Sequence, residues 1–133
     1  MLASARLQAI VWTSRMETAK LFYGETLGLP SRGASHGAAI FDVGGQDLRL
    51  SPVPATNPSD HTVLGFAVSS LADATAALRS RGVSFERFAQ LPLDEKGVLT
   101  TPEGARVAWF RDPDGNLLSL VEYKSEERLL EPT

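Results

Sequence analysis

The chain contains no cysteine, which excludes disulfides, thiolate-bound metals and a cysteine nucleophile, though it leaves the compartment open. Histidine is scarce: the two copies, His36 and His61, do not form a zincin pair. No apolar run approaches membrane-spanning length, and the opening Met1-Leu2-Ala3-Ser4-Ala5-Arg6 lacks a signal-peptide core. The expectation is a cytoplasmic protein with no membrane partner. There is no basic run, and a formal net charge of −3 argues against nucleic acid as a partner. A glycine-rich phosphate loop with its lysine and a Gly-x-Ser-x-Gly elbow are also absent. What remains is ordinary. With 133 residues, 43% of them hydrophobic and 22% charged, the chain reads as one soluble domain able to bury a core.

Along the chain, Leu7 to Thr13 is apolar and reads as a strand. Ser14-Arg15-Met16-Glu17 fits a capping box, and Met16, Ala19, Tyr23 and Leu27 follow as one apolar helix face that Gly28 ends. Leu29 to Ser35, Ala38 to Val43 and Leu48 to Val53 read as strands, the last two joined by a Gly44-Gly45-Gln46-Asp47 turn. Pro52, Pro54, Asn57, Pro58, Ser59 and Asp60 mark a linker. The order then repeats. Val63 to Ser69 is a strand, Ser70-Leu71-Ala72-Asp73 opens a second helix with Leu71, Ala74 and Leu78 on its face, and Gly82 stops it. Val83 to Phe88, Val98 to Thr101, Arg106 to Arg111 and Leu117 to Tyr123 supply further strands. The last two flank Asp112-Pro113-Asp114-Gly115-Asn116, in which Pro presets φ, Gly accepts positive φ, and Asp and Asn close local bonds.

The two halves are therefore copies of one pattern. Gly45-Gln46 and Gly115-Asn116 are offset by 70 positions and Met16 and Leu71 by 55, so the second copy has the longer middle loop, Ala89 to Gly97. The spacing predicts an α+β fold: two tandem βαβββ modules in one curved mixed sheet around a cup, helices outside. Module one covers about 7–53, the linker about 54–60, module two about 61–123, and a charged tail, frayed or a short surface helix, 124–133.

This duplication resembles the vicinal oxygen chelate superfamily, which includes glyoxalase I, extradiol dioxygenases, and fosfomycin- and bleomycin-resistance proteins. Two motifs carry the resemblance: Leu21-Phe22-Tyr23-Gly24-Glu25-Thr26-Leu27-Gly28-Leu29 after the first strand, and the Asp-Pro-Asp-Gly-Asn hairpin. It spans roughly Leu7 to Tyr123 and is specific for fold, not for function. Family enzymes hold Zn, Ni, Mn or Fe with His, Glu or Gln from four inward strand positions. The resemblance places those positions at Gln8, Arg49, Val63 and Ser119. Glutamine is a weak ligand, valine has no donor atom, serine is a poor donor, and a guanidinium repels cations. It thus implies a member without the family's metal, and no other cofactor is indicated. His61, two residues before Val63, shares its face in a continuous strand and would restore one ligand, leaving Arg49 and Ser119 unrepaired. The resemblance further implies a homodimer.

Alternation from Gln8 places Ile10 and Trp12 toward the cup, with Ala9, Val11 and Thr13 toward the helices. It likewise points Asp47, Arg49 and Ser51 inward, and sets Trp109 and Arg111 opposite Ala108 and Phe110. The candidate ligand-binding set is Gln8, Trp12, Arg49, Trp109, Ser119, Arg111 and His61, a mostly apolar lining with a few polar groups. Three of these have a plainer alternative. Trp12 and Trp109 serve equally as core or dimer-interface residues, and Arg49 could pair with Asp47, Glu103 or another carboxylate. His36 reads as surface and Asp112 and Asp114 as turn formers. A calcium loop fails because Tyr123 stands where its glutamate is required.

No catalytic residue is singled out. The leading expectation is a metal-free protein sequestering an aromatic or conjugated small molecule by stacking and polar fixing. The alternatives are a glyoxalase-like lyase or isomerase with an atypical or absent metal site, and an inert structural or partner-binding domain.

Overall fold

The computed structural model describes residues 1–124. After a short turn at Leu2–Ser4 come β1 (Ala9–Thr13), α1 (Met16–Leu21) widening into a π-type stretch at Phe22–Thr26, β2 (Ser31–Ser35), β3 (Ala38–Val43) and β4 (Gln46–Pro52). Then follow β5 (Thr62–Ala67), α2 (Leu71–Ser80), β6 (Leu99–Thr100), β7 (Arg106–Arg111) and β8 (Leu117–Glu122). The hydrogen-bond ladders run as two four-stranded mixed sheets, one per repeat. Their strand orders are β1-β4-β3-β2 and β5-β8-β7-β6. In each, the first strand lies parallel to the last and the other pairs are antiparallel. The same βαβββ topology thus occurs twice.

Contacts divide the chain into two compact units. The first comprises Met1–Ser59 with Asp112–Asn116, and the second comprises Asp60–Arg111 with the chain from Leu117 onward.

In the first unit, alternation decides which face of the sheet is buried. Val11 and Thr13 on β1 and Leu48 and Leu50 on β4 are buried, as are Ala19 and Tyr23 on the helix face. Gly44 and Gly45 both take positive φ in the β3–β4 turn, the conformation a two-residue hairpin needs and one that glycine adopts without steric cost.

The Asp112–Asn116 turn also belongs to this unit, and it is more than a turn. Asp112, 6% exposed, accepts from the Tyr23 hydroxyl (2.7 Å), Asn116 Nδ2 (2.9 Å) and the backbone N–H groups of Asp114 and Asn116 (2.9 Å each). Asp114 accepts from the Thr13 hydroxyl, from Ser14 N (2.8 Å) and Oγ (2.9 Å), and from Thr56 Oγ1 (3.2 Å). Arg15 donates to the Pro113 carbonyl at 2.8 Å. Burial works to raise the Asp114 carboxyl, but the bonds from Thr13, Ser14 and Thr56 outweigh it and hold the group below the ordinary 3.8. Its stabilising contribution is therefore whole above that value and is lost as pH falls through the lowered folded one. Asp114→Asn should accordingly flatten the acid limb of stability against pH, measured by urea denaturation below about pH 4.

These bonds correct the expected capping box. Arg15, not Ser14, is the N-cap of α1 and makes no side-chain cap; Ser14 bonds Asp114, while Thr13 Oγ1 accepts from Arg15 N (3.0 Å). At α2 the cap forms as expected, Ser70 Oγ accepting from Asp73 N at 3.1 Å. Glu122 of β8 adds a second acceptor for this helix start, bonding Leu71 N at 2.7 Å.

In the second unit Leu71, Leu78, Ala108, Phe110, Leu118 and Leu120 form the buried core. The expected strand at 83–88 is not formed. That segment makes a single bridge, Phe85 to Phe110, with Glu86 N donating to Trp109 O (2.8 Å). The edge of β7 is shared: β6 pairs its first two residues, and the 83–88 segment touches only its far half. Of the charged tail, residues 125–133 lie outside the described residues.

Candidate functional site

Each sheet leaves one face free of its helix, and Trp12, Arg49, Trp109, Ser119 and Arg111 fall on these faces. On the first, Ile10 is 55% and Trp12 61% exposed, while their neighbours Val11 and Thr13 are buried. The register sets Ile10 beside Arg49 and Arg49 beside Ile40, and Trp12 beside Ser51. Arg49 is half-buried between two isoleucines, and Gln8 is exposed just ahead of β1. Arg49 Nη2 donates to the Ser35 carbonyl at 3.0 Å. Among the described residues it makes no ion pair.

The carboxylate that could have neutralised it is otherwise engaged. Asp47 forms ion pairs with Arg32 (Nε at 3.4 Å) and Arg6 (3.7 Å). Arg32 also bonds Asp42 at 2.6 Å. That bond, helped by Arg32's charge and the Gly45 N–H, overcomes desolvation and holds the Asp42 carboxyl below its ordinary range. Arg49 keeps guanidinium donors beyond the one given to Ser35, beside two isoleucines, a fit for a carboxylate or carbonyl oxygen on a bound molecule.

On the second sheet, Gly65, Ser119 and Trp109 form one row. Ser119 is 8% exposed, and a Cβ on residue 65 would lie 3.1 Å from its Oγ, so glycine there keeps this hydroxyl unobstructed. Trp109 Nε1 donates to Thr62 Oγ1 (3.2 Å), and its ring meets Phe88 edge-on at 5.6 Å. As alternation implies, Trp109 and Arg111 are half-buried opposite the fully buried Ala108 and Phe110. Arg111 differs from Arg49 in having carboxylate partners, Glu86 at 3.4 Å and Asp60 at 3.6 Å. His61 is exposed ahead of β5, and the ladder shifts register between Thr62 and Leu64. The two-residue alternation linking His61 to Val63 therefore does not hold.

The metal-ligand positions implied by the resemblance do not fit a cation. Val63 has no donor atom and is 47% exposed, Arg49 carries a fixed positive charge, and Ser119 offers a neutral hydroxyl. Among the described residues no cluster of three His, Asp or Glu side chains could hold a metal.

Sequence reasoning missed Ile40 and Arg32. Ile40 lies in a run buried on both faces (Ala38 to Phe41), where alternation is silent. Arg32 sits on a weakly patterned strand and takes up Asp47. It also read Asp112 and Asp114 as local turn formers, because nothing within the turn reveals Tyr23 or Thr13 as partners.

A protein-family model, described as the Glyoxalase/Bleomycin resistance protein/Dioxygenase superfamily, matches residues 6–120. Among solved structures, a member of that superfamily from Sphaerobacter thermophilus is 25% identical, with a TM-score of 0.69 over 92% of this chain and 99% of its own. Lactoylglutathione lyase from Agrobacterium tumefaciens is 18% identical (TM-score 0.67; 90% and 93% covered). TnmS3, an antibiotic binding protein from Streptomyces sp. CB03234, is 22% identical (TM-score 0.61; 91% and 98% covered). No curated protein matches the sequence. The duplicated βαβββ topology, the two open sheet faces and a family match over nearly the whole chain agree: this chain belongs to the glyoxalase/bleomycin resistance protein/dioxygenase superfamily.

Proposed function

We propose that the chain is a metal-free binding protein that sequesters a small aromatic or conjugated molecule bearing an anionic or carbonyl oxygen. The observation that carries this is Arg49, a guanidinium with no carboxylate partner among the described residues, on the same sheet face as the exposed Trp12 indole. A bound oxygen would complete the Arg49 fork, and the indole gives a flat apolar surface for stacking. Gln8, in the same unit, is a further contact in this reading, and Trp109, Ser119, Arg111 and His61 are candidate contacts on the second unit, taken by itself. The protein is cytoplasmic and acts as a homodimer, which would cover apolar side chains such as Ile10. An antibiotic is one ligand of the right kind, and an antibiotic binding protein shares the fold.

A ligand screen followed by tryptophan fluorescence tests the proposal. Arg49→Ala should weaken anionic hits roughly tenfold or more, the value of a charge-assisted hydrogen bond, at an unchanged melting temperature. Equal affinity of both proteins for every hit would remove Arg49 from the site. Protein purified without chelator should carry no stoichiometric Zn, Ni, Mn or Fe; tightly held metal would redirect the assignment to a lyase or isomerase of glyoxalase type.

A further inference from the structure

The second unit carries a cleft of about 510 Å³ lined by Ala76, Arg79, Phe85, Arg87, Glu95 and Lys96. Phe85 packs edge-on against Phe110 at 5.7 Å, and Phe110 belongs to the buried, helix-covered face of its sheet. The cleft therefore lies on the opposite side of that sheet from Trp109 and Ser119, and nothing in the ligand-binding proposal uses it.

Its chemistry is set by two arginines that are already held in place. Arg79 Nη2 donates to the Lys96 carbonyl at 2.7 Å, and its guanidinium carbon lies 4.8 Å from the centre of the Phe85 ring. Arg87 donates from Nη1 to the Glu95 carbonyl (3.1 Å) and from Nη2 to the Asp94 carbonyl (2.8 Å). The loop receiving these bonds is itself tight: the Asp94 carboxylate accepts from Lys96 N (2.8 Å) and Val98 N (2.9 Å). A guanidinium has about five N–H donors, so both forks retain donors after these bonds. Among the described residues, Arg79, Arg87 and Lys96 make no ion pair; Glu95, the one carboxylate in the lining, pairs with none of them. Three cations thus stand here against two carboxylates, Glu95 in the lining and Asp94 behind it, whose charge Arg87 feels without a close ion pair.

Forks pinned by backbone carbonyls have lost their rotamer freedom before any ligand arrives, which removes part of the usual entropic penalty of binding. Two forks and an ammonium call for a ligand group with several oxygens and more than one negative charge. A carboxylate fills one fork, whereas a phosphate or diphosphate reaches all three cations. We propose that this cleft binds the phosphate group of a small phosphorylated molecule between Arg79, Arg87 and Lys96.

Inorganic pyrophosphate is the probe, titrated at low salt into the full chain and followed by backbone amide shifts. Citrate serves as the polycarboxylate comparison. Saturable shifts should fall on residues 94–97 and the last turns of α2, and weaken as salt rises. Lys96→Gln breaks none of the loop-holding bonds, so it should leave the melting temperature unchanged and weaken pyrophosphate about tenfold. Arg87→Lys, which keeps the charge and loses the fork, should weaken it similarly. The proposal is overturned if binding does not saturate, if the shifts lie elsewhere, if citrate binds as tightly as pyrophosphate, or if Lys96→Gln keeps wild-type affinity.

Discussion

Replacing Asp112 by alanine is expected to destabilise the protein by about 4 kcal/mol, read as a lowered urea midpoint at an unchanged slope. The carboxylate accepts four hydrogen bonds, and its removal strands the donors together. The Tyr23 hydroxyl suffers most, because Tyr23 is fully buried and water does not reach it. Asn116 and the turn amides are half-exposed and recover part of their loss by hydration. Orphaned buried donors cost about 1–3 kcal/mol each, and whole domains are stable by only about 5–15 kcal/mol. A loss below about 1 kcal/mol would mean that solvent replaces the carboxylate and that this network does not hold the turn.

The second large effect appears in alkali. Burial, then the charge of Asp112, its hydrogen bond and the charge of Asp114, hold the Tyr23 phenol far above the ordinary value of 10. The folded protein keeps this proton at pH values where the unfolded chain releases it. The contribution of Tyr23 is thus complete below about pH 10 and erodes above it, by about 1.4 kcal/mol for each further pH unit. Tyr23→Phe removes the titration together with one hydrogen bond. At neutral pH that variant should be less stable by about 1 kcal/mol. Above about pH 10 its stability should fall less steeply than that of the wild type, and the two curves should cross near roughly pH 11. Curves that stay parallel through that range would show that the phenol ionises freely in the folded state.

The sequence discloses a structural feature wherever the signal for it is local. The strands at Ala38–Val43 and Arg106–Arg111 and the helix from Leu71 end where glycine or turn residues stop the pattern. Alternation assigns the faces of β1 and β4 correctly, down to exposed Trp12 beside buried Val11 and Thr13. It fails where a distant group outbids a near one. Ser14 has the sequence of a cap, but Asp114, 100 positions away, takes its hydroxyl. Val83 to Phe88 has the composition of a strand, but the side chains of Glu86 and Arg87 are engaged elsewhere and the backbone makes a single bridge. For the candidate site, the residue types at positions 8, 49, 63 and 119 are plain in the sequence. The lack of a carboxylate partner for Arg49 among the described residues is not, because it depends on Arg32 having claimed Asp47.

Tyr23 and Asp112 are separated by 89 positions along the chain. During synthesis at roughly 5–20 residues per second, the first repeat is translated on the order of ten seconds before the turn that completes its interior. Through that interval a nascent chain carries a phenol and a threonine hydroxyl whose acceptors do not yet exist. An N-terminal fragment ending at Ser59 would stay in that condition permanently, and should be more readily degraded by proteases than its share of the core alone would indicate.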